Sequence, residues 1–332
     1  MPLKFGVCVN AADRPRDFAT LVREAEALGF EYFWIADVAL LAQDAVSYLA
    51  LAAMHSTRMQ VGPSVFHPFV RHPAYSANTA ATLDEISDGR AILGMGLGGR
   101  EIVKELAHEA ATMGELREWV GLTRRLLAGE TVSHKTERYE LRDARLRFPA
   151  RRPIPVYIAA TGPKMLALAG ELGEGVFALV GTDPRVVALA VRQARDGAAL
   201  APGGERDIGL YAYCAVAEAR DEALNDCRRG AGVIAMRNRA YAEMAGLTAR
   251  QSEAIERAAK AAGSTFSKEF GAAVTDEIVA RFTLAGTPAD CRTLLEPLAG
   301  SGITRVDLYL QGANRLRTVR LFGNQVLPHF SG

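Results

Sequence analysis

The residues of this chain that can do chemistry sit where short apolar runs end. Gly94-Met95-Gly96-Leu97-Gly98-Gly99 follows one such run and precedes a helical pattern. Its spacing matches GxGxxG, the phosphate-cradling turn of dinucleotide-binding folds. That fingerprint belongs to the first strand of a fold and wants an acidic residue ending the second strand, about 20 residues on. Here the run is the fourth, and Glu115 and Glu118 fall at that distance inside a helical pattern. NAD binding through this loop is therefore rejected. Glycines at 96, 98 and 99, with Leu97 between them, either leave room for a planar ring system or serve only a tight turn.

A second segment, Ala159-Ala160-Thr161-Gly162-Pro163-Lys164, ends another run and opens a helix. Free N–H groups and the positive dipole end make such a place a natural phosphate site. Pro163 suits the first helical turn, Thr161 offers a hydroxyl, Gly162 close approach and Lys164 a charge. Thr161 as a plain N-cap accounts for the same residues. Asp37 follows the run Tyr32–Ile35, where it serves chemistry or caps the next segment. The loop Gly62 to Pro73 carries His67 and His72; the latter precedes a proline at a helix start and reads as structural. Arg100 and Glu101 read as solvated charges beginning a helix, with polar cofactor atoms as the other use for either.

The elements that position these residues follow from periodicity. Strand candidates are Leu3–Val9, Tyr32–Ile35, Met59–Gly62, Ala91–Gly94, Pro155–Ala159, Gly175–Leu179, Ile208–Ala217 and Arg305–Leu310, and amphipathic helical runs follow them. Such alternation demands a parallel sheet, and 332 residues suit a closed (β/α)8 TIM barrel with insertions, an α/β fold, better than two doubly wound domains. No linker divides the chain, so residues 1–332 read as one domain. Two segments exceed the minimal barrel: about 131–153, polar and weakly β-like, and about 237–283, helical and alanine-rich. The second, the largest, follows strand seven, where it serves as a lid over the barrel mouth or as peripheral or subunit packing. Both leading loops thus leave the C-terminal ends of strands, the end at which such barrels bind ligands.

A formal net charge of +1 argues against nucleic acid or a membrane surface as partner. No apolar run approaches the roughly 20 residues of a membrane span. Cys8, Cys214, Cys227 and Cys291 form no CxxC pair and read as reduced, buried thiols of a cytoplasmic protein. The six histidines show no metal-binding spacing, so no metal is expected.

Several collinear segments resemble the bacterial luciferase-like superfamily, most closely its deazaflavin-dependent branch, which includes methylenetetrahydromethanopterin reductase. They are FEYFWIAD ending at Asp37, RHPAYSANTAATLDEISDGRAILGMGLGG from Arg71, PVYIAATGPKMLALAGELGEGV from Pro155, and VTDEIVARFTLAGTPADCRTLLEPLAGSGITRVDLYL from Val274. The resemblance implies the same barrel, with its insertion after strand seven. It also implies coenzyme F420, a deazaflavin carrying hydride at C5, in the barrel mouth, with FMN in related members. Aligned on Gly62 and on Arg71-His72-Pro73, a non-prolyl cis peptide backing the ring falls at Ser64–Val65. The resemblance places Asp37 beside the reacting ring and substrate, and favours phosphate binding at Ala159 to Lys164. It implies a homodimer as well.

Two positions depart from the family's pattern. Val38 stands where similar enzymes often have histidine, and Cys8 where methanopterin reductases carry glutamate. A buried thiol does not replace a carboxylate in stabilising a cationic iminium, so Cys8 reads as a packing residue. His67, three residues past the cis bond, can protonate an oxyanion as hydride arrives, or is a surface loop residue. The leading expectation is an F420-dependent oxidoreductase acting on a small or medium-sized organic molecule. The alternatives are an FMN-dependent monooxygenase using reduced flavin and O2, and a barrel that binds without catalysing. Phe66, Phe69 and Trp34 suggest apolar, aromatic loops at the mouth and a partly hydrophobic substrate.

Overall fold

The computed structural model describes residues 2–331 apart from 69, 100–105, 107–108 and 202. Phe69, Arg100 and Glu101 lie outside the described residues. Numbered in chain order, the elements begin with β1 (Lys4–Asn10), α1 (Pro15–Ala27), β2 (Tyr32–Ala36), α2 (Ala45–Met54), β3 (Gln60–Pro63), α3 (Pro73–Ile86), β4 (Leu93–Met95) and α4 (Met113–Leu127). An antiparallel hairpin, β5 (Val132–Lys135) and β6 (Glu140–Ala144), precedes β7 (Val156–Ala160), α5 (Pro163–Leu172), β8 (Gly175–Ala178), α6 (Pro184–Ala198) and β9 (Asp207–Val216). Helices α7 (Arg220–Arg237), α8 (Arg239–Met244), α9 (Ala249–Ala262), α10 (Lys268–Ala272) and α11 (Asp276–Phe282) follow. The chain closes with β10 (Leu284–Gly286), α12 (Pro288–Ala299), β11 (Arg305–Leu310) and α13 (Arg315–Gln325).

The parallel strands run in the order β3-β2-β1-β11-β9-β8-β7-β4. The ring closes between its ends through a bridge at Val61 and Ala91, and through bonds from Phe66 N–H to Gly94 and from Gly96 N–H to Phe66. This is the (β/α)8 barrel expected from the alternation. Periodicity did not reveal β10, a three-residue strand that follows the helical insertion and pairs with the last residues of β9.

Alternation in the strands explains the two cores. In β1, Phe5, Val7 and Val9 point outward into the layer shared with the helices, while Cys8 joins Tyr32, Trp34, Ile92, Tyr157, Phe177 and Tyr211 inside the barrel. Helix α1 meets the outer layer with Phe18, Leu21, Val22 and Ala25, spaced along one helical face. The LDEISDGR segment is also structural. Arg90 donates to the carbonyls of Ala53, Ser56 and Met59 and so closes the end of α2.

Below the mouth, the barrel is plugged by an ion network that periodicity does not reveal. Buried Arg305 binds Asp307 at 2.8 Å and pairs with Asp207, while Trp34 Nε1 donates to Asp307 at 2.7 Å and the Tyr157 hydroxyl to Asp207 at 2.7 Å. The guanidinium lies 5.0 Å from the Tyr32 ring centre and 4.8 Å from that of Tyr157. Glycines make this possible. A side chain at Gly6 would strike Asp307, and one at Gly209 would strike Arg305. Burial pushes the Asp307 carboxyl up, opposed by Arg305 and the hydrogen bonds it receives.

Candidate active site

Asp37 lies one residue past β2 and is 8% exposed. Arg71 grips it with two bonds, Nε to Oδ2 at 2.6 Å and Nη2 to Oδ1 at 3.2 Å. The guanidinium also lies 4.2 Å from the centre of the Phe66 ring, and the Arg71 carbonyl accepts from Trp119 Nε1 at 3.1 Å. Asp37 is thus the anchor of the loop after β3 as well as a carboxylate at the mouth end. Sequence reasoning missed Arg71. Its one signal was a charge inside a stretch otherwise made of Pro, His, Phe and Val.

The Ser64–Val65 bond is cis, at the position expected from the resemblance. Ser64 N–H donates to the Ile35 carbonyl at 2.8 Å, holding the turn against β2. On its other side, a Cβ at Gly96 would come within 2.9 Å of Val65 Cγ2 and 3.2 Å of Ala159 Cβ. Gly98 has φ +78°, and a side chain there would meet the His67 ring at 2.8 Å. The space beside Gly96 and Gly98 is therefore filled by Val65 and His67. Their backbones, with the half-buried Leu97 and Gly99, remain on the loop beyond β4.

His67 is 2% exposed, which overturns the surface-loop alternative. Its Nδ1 has no partner among the described residues. Burial holds the imidazole below its ordinary value, opposed by the Asp37 carboxylate and reinforced by the Arg71 charge. The site thus disfavours the imidazolium form. His72 is structural, as its place before Pro73 suggests: its Nδ1 accepts from Ala74 N–H at 3.2 Å and caps α3.

At the end of β7, Ala159 and Ala160 lead into α5, whose N-cap is Gly162. Thr161 is not the cap, so that alternative fails. No side chain caps this helix, and its first N–H groups are left for another partner. Pro163 takes the first turn and Lys164 is exposed beside it. A Cβ at Gly162 would lie 3.3 Å from Asn238 Nδ2, at the start of α8, which brings the helical insertion to this rim. The Thr182 hydroxyl donates to the Arg281 carbonyl at 3.1 Å, a second tie between insertion and rim.

Cys8 is more than packing. Its Sγ lies 2.8 Å from the Tyr211 hydroxyl and 3.0 Å from Ser64 Oγ, linking β1, β9 and the turn after β3. Burial pushes the thiol up to about 12 and raises the Tyr211 phenol well above its ordinary value. Trp34 and Phe66 do not line the mouth. Both are fully buried, Trp34 on Asp307 and Phe66 beneath Arg71, because interior packing and cation–π contact claim them. No group of three or more potential metal ligands occurs among the described residues. No described helix is long and apolar enough to cross a membrane.

The fold and site define a parallel barrel with loops from β2, β3, β4 and β7 gathered at the C-terminal mouth. A family model described as luciferase-like monooxygenase matches residues 3–305, and the chain belongs to that family. It is 31% identical to a 5,10-methylenetetrahydromethanopterin reductase of Archaeoglobus fulgidus, over 98% of this chain and 99% of the relative. It is 27% identical to an F420-dependent glucose-6-phosphate dehydrogenase of Amycolatopsis mediterranei, over 98% of each. The solved coenzyme F420-dependent tetrahydromethanopterin reductase of Methanopyrus kandleri superposes with a TM-score of 0.87 at 26% identity, over the full length of both chains.

Proposed function

We propose that this protein is a coenzyme F420-dependent oxidoreductase that passes a hydride between the deazaflavin C5 and a small or medium-sized organic substrate. The observation that carries this reading is end-to-end similarity to a reductase and a dehydrogenase that are both named as dependent on that coenzyme.

The residues present fit such a group. The uncapped start of α5, with Gly162 admitting close approach and Lys164 adding charge, suits a phosphate. Ser64 and Val65 on one side, with Gly96 to Gly99 and Ala159 beside them, would hold the ring. When bound, the coenzyme supplies the hydride acceptor and donor. The protein fixes its face, excludes water and holds Asp37 as an ordered carboxylate beside the mouth. His67, whose Nδ1 has no partner among the described residues, is a nearby group able to hold or give a proton.

A second reading, an FMN-dependent monooxygenase, is favoured by the name of the family itself and by a monooxygenase from Streptomyces bottropensis (TM-score 0.71, 25% identity). Equilibrium titration with F420 and with FMN separates the two. Micromolar F420 binding with stereospecific hydride exchange is the expected result, and FMN binding alone would refute the F420 reading. A homodimer and a cytoplasmic location belong to the same proposal. Exposed Met54, Tyr75 and Ile86 on α2 and α3 support the first, unpaired buried cysteines the second. Light scattering on the titrated samples checks the mass.

A further inference from the structure

Cys8, Ser64 and Tyr211 meet on the floor of the mouth from three separate parts of the chain. Their contacts are 2.8 Å between Cys8 Sγ and the Tyr211 hydroxyl, 3.0 Å between Cys8 Sγ and Ser64 Oγ, and 3.5 Å between Ser64 Oγ and the Tyr211 hydroxyl. Each group carries one proton and can accept another bond. Cys8 and Tyr211 are buried, and among the described residues their side chains bond only within the trio. The two short contacts are satisfied when Tyr211 donates to Cys8 and Cys8 donates to Ser64. The Ser64 proton is then left with only the contact at 3.5 Å, and Ser64 is the half-exposed member.

We propose that Cys8 and Tyr211 are positioning residues that pin Ser64 and turn its hydroxyl into a donor for an acceptor atom of the bound ring. This rests on the coenzyme reading above. The Ser64–Val65 turn is held from three directions: from below by the trio, sideways by the Ile35 carbonyl, and across the mouth by Val65 against Gly96. With the thiol pushed up to about 12 and the phenol raised well above its ordinary value, both by burial, none of the three changes charge near neutrality. The donor therefore stays in place across roughly pH 6 to 8.

Hydrogen–deuterium exchange on the protein without coenzyme, and F420 titration of the same samples, test this with Cys8→Ala, Cys8→Ser, Tyr211→Phe and Ser64→Ala. Tyr211→Phe removes one oxygen and should keep the wild-type Tm. In Cys8→Ala and Tyr211→Phe the amides of Ser64 and Phe66 should exchange faster, and Cys8→Ser should restore protection. The F420 Kd should rise about three- to tenfold in Ser64→Ala and Tyr211→Phe, equally at pH 6 and pH 8, as for one lost hydrogen bond. Unchanged exchange and unchanged Kd in Tyr211→Phe would overturn the proposal, as would unchanged Kd in Ser64→Ala. If the wild type binds neither F420 nor FMN, the coenzyme reading fails and the donor role falls with it. The exchange arm then still decides whether Cys8 and Tyr211 pin the turn.

Discussion

At the scale of single residues, the mouth combines one clasped carboxylate with one buried imidazole. Asp37 is clasped by a bidentate guanidinium, which fixes the orientation of its carboxylate. His67 is a titratable group whose charged form burial disfavours. Linkage gives the sign. A histidine held below its ordinary value near 6.5 binds fewer protons folded than unfolded, so its stabilisation is complete above that value and is lost as pH falls below it. Urea unfolding at pH 7.5 and 5.5 should therefore show an acid-side loss of stability that shrinks in His67→Gln. An unchanged difference would place the acid sensitivity elsewhere.

At the scale of elements, the glycine cluster is the informative case. Its spacing suggested space for a ligand, and the structure gives the space beside two of its glycines to neighbouring side chains. Gly98→Ala forces a left-handed residue, at about 1–2 kcal/mol, and brings a Cβ against the His67 ring. It should lower stability by at least that much in denaturant unfolding and weaken F420 binding by displacing His67. The eight staves and the short loops that carry Asp37, Gly96 and Gly162 were legible because apolar runs and helical faces recur at fixed periods. Strand β10 was not, because three residues beside a helical insertion make no period. Arg71 was not, because its partner lies 34 positions away and spacing says nothing of which side chains will meet.

For the whole molecule, a barrel must fill its own interior, and this one does so partly with charge. Arg305 sits between two carboxylates and two aromatic faces, with Gly6 and Gly209 clearing its volume. Removing one partner of such a buried set leaves the others unpaired, at a cost of about 3–5 kcal/mol. Arg305→Met should lose roughly that in urea unfolding and should recover part of it when Asp307→Asn is added. If Arg305→Met costs less than about 1 kcal/mol, the network is an accessory to the aromatic packing around it.

The sequence by itself determined the alternation, and so the parallel barrel, the end of the barrel where its loops gather, and the family resemblance carried by collinear segments. Those are properties of neighbours and of order along the chain. Tertiary structure alone decided that His67 is buried, that Asp37 is clasped by Arg71, that Gly162 and not Thr161 begins α5, and that Cys8 meets Tyr211 across the barrel. Each of these depends on which side chains point inward once the ring closes. Closure brings Cys8 to Tyr211 across 203 positions and Trp34 to Asp307 across 273, separations at which no periodicity survives.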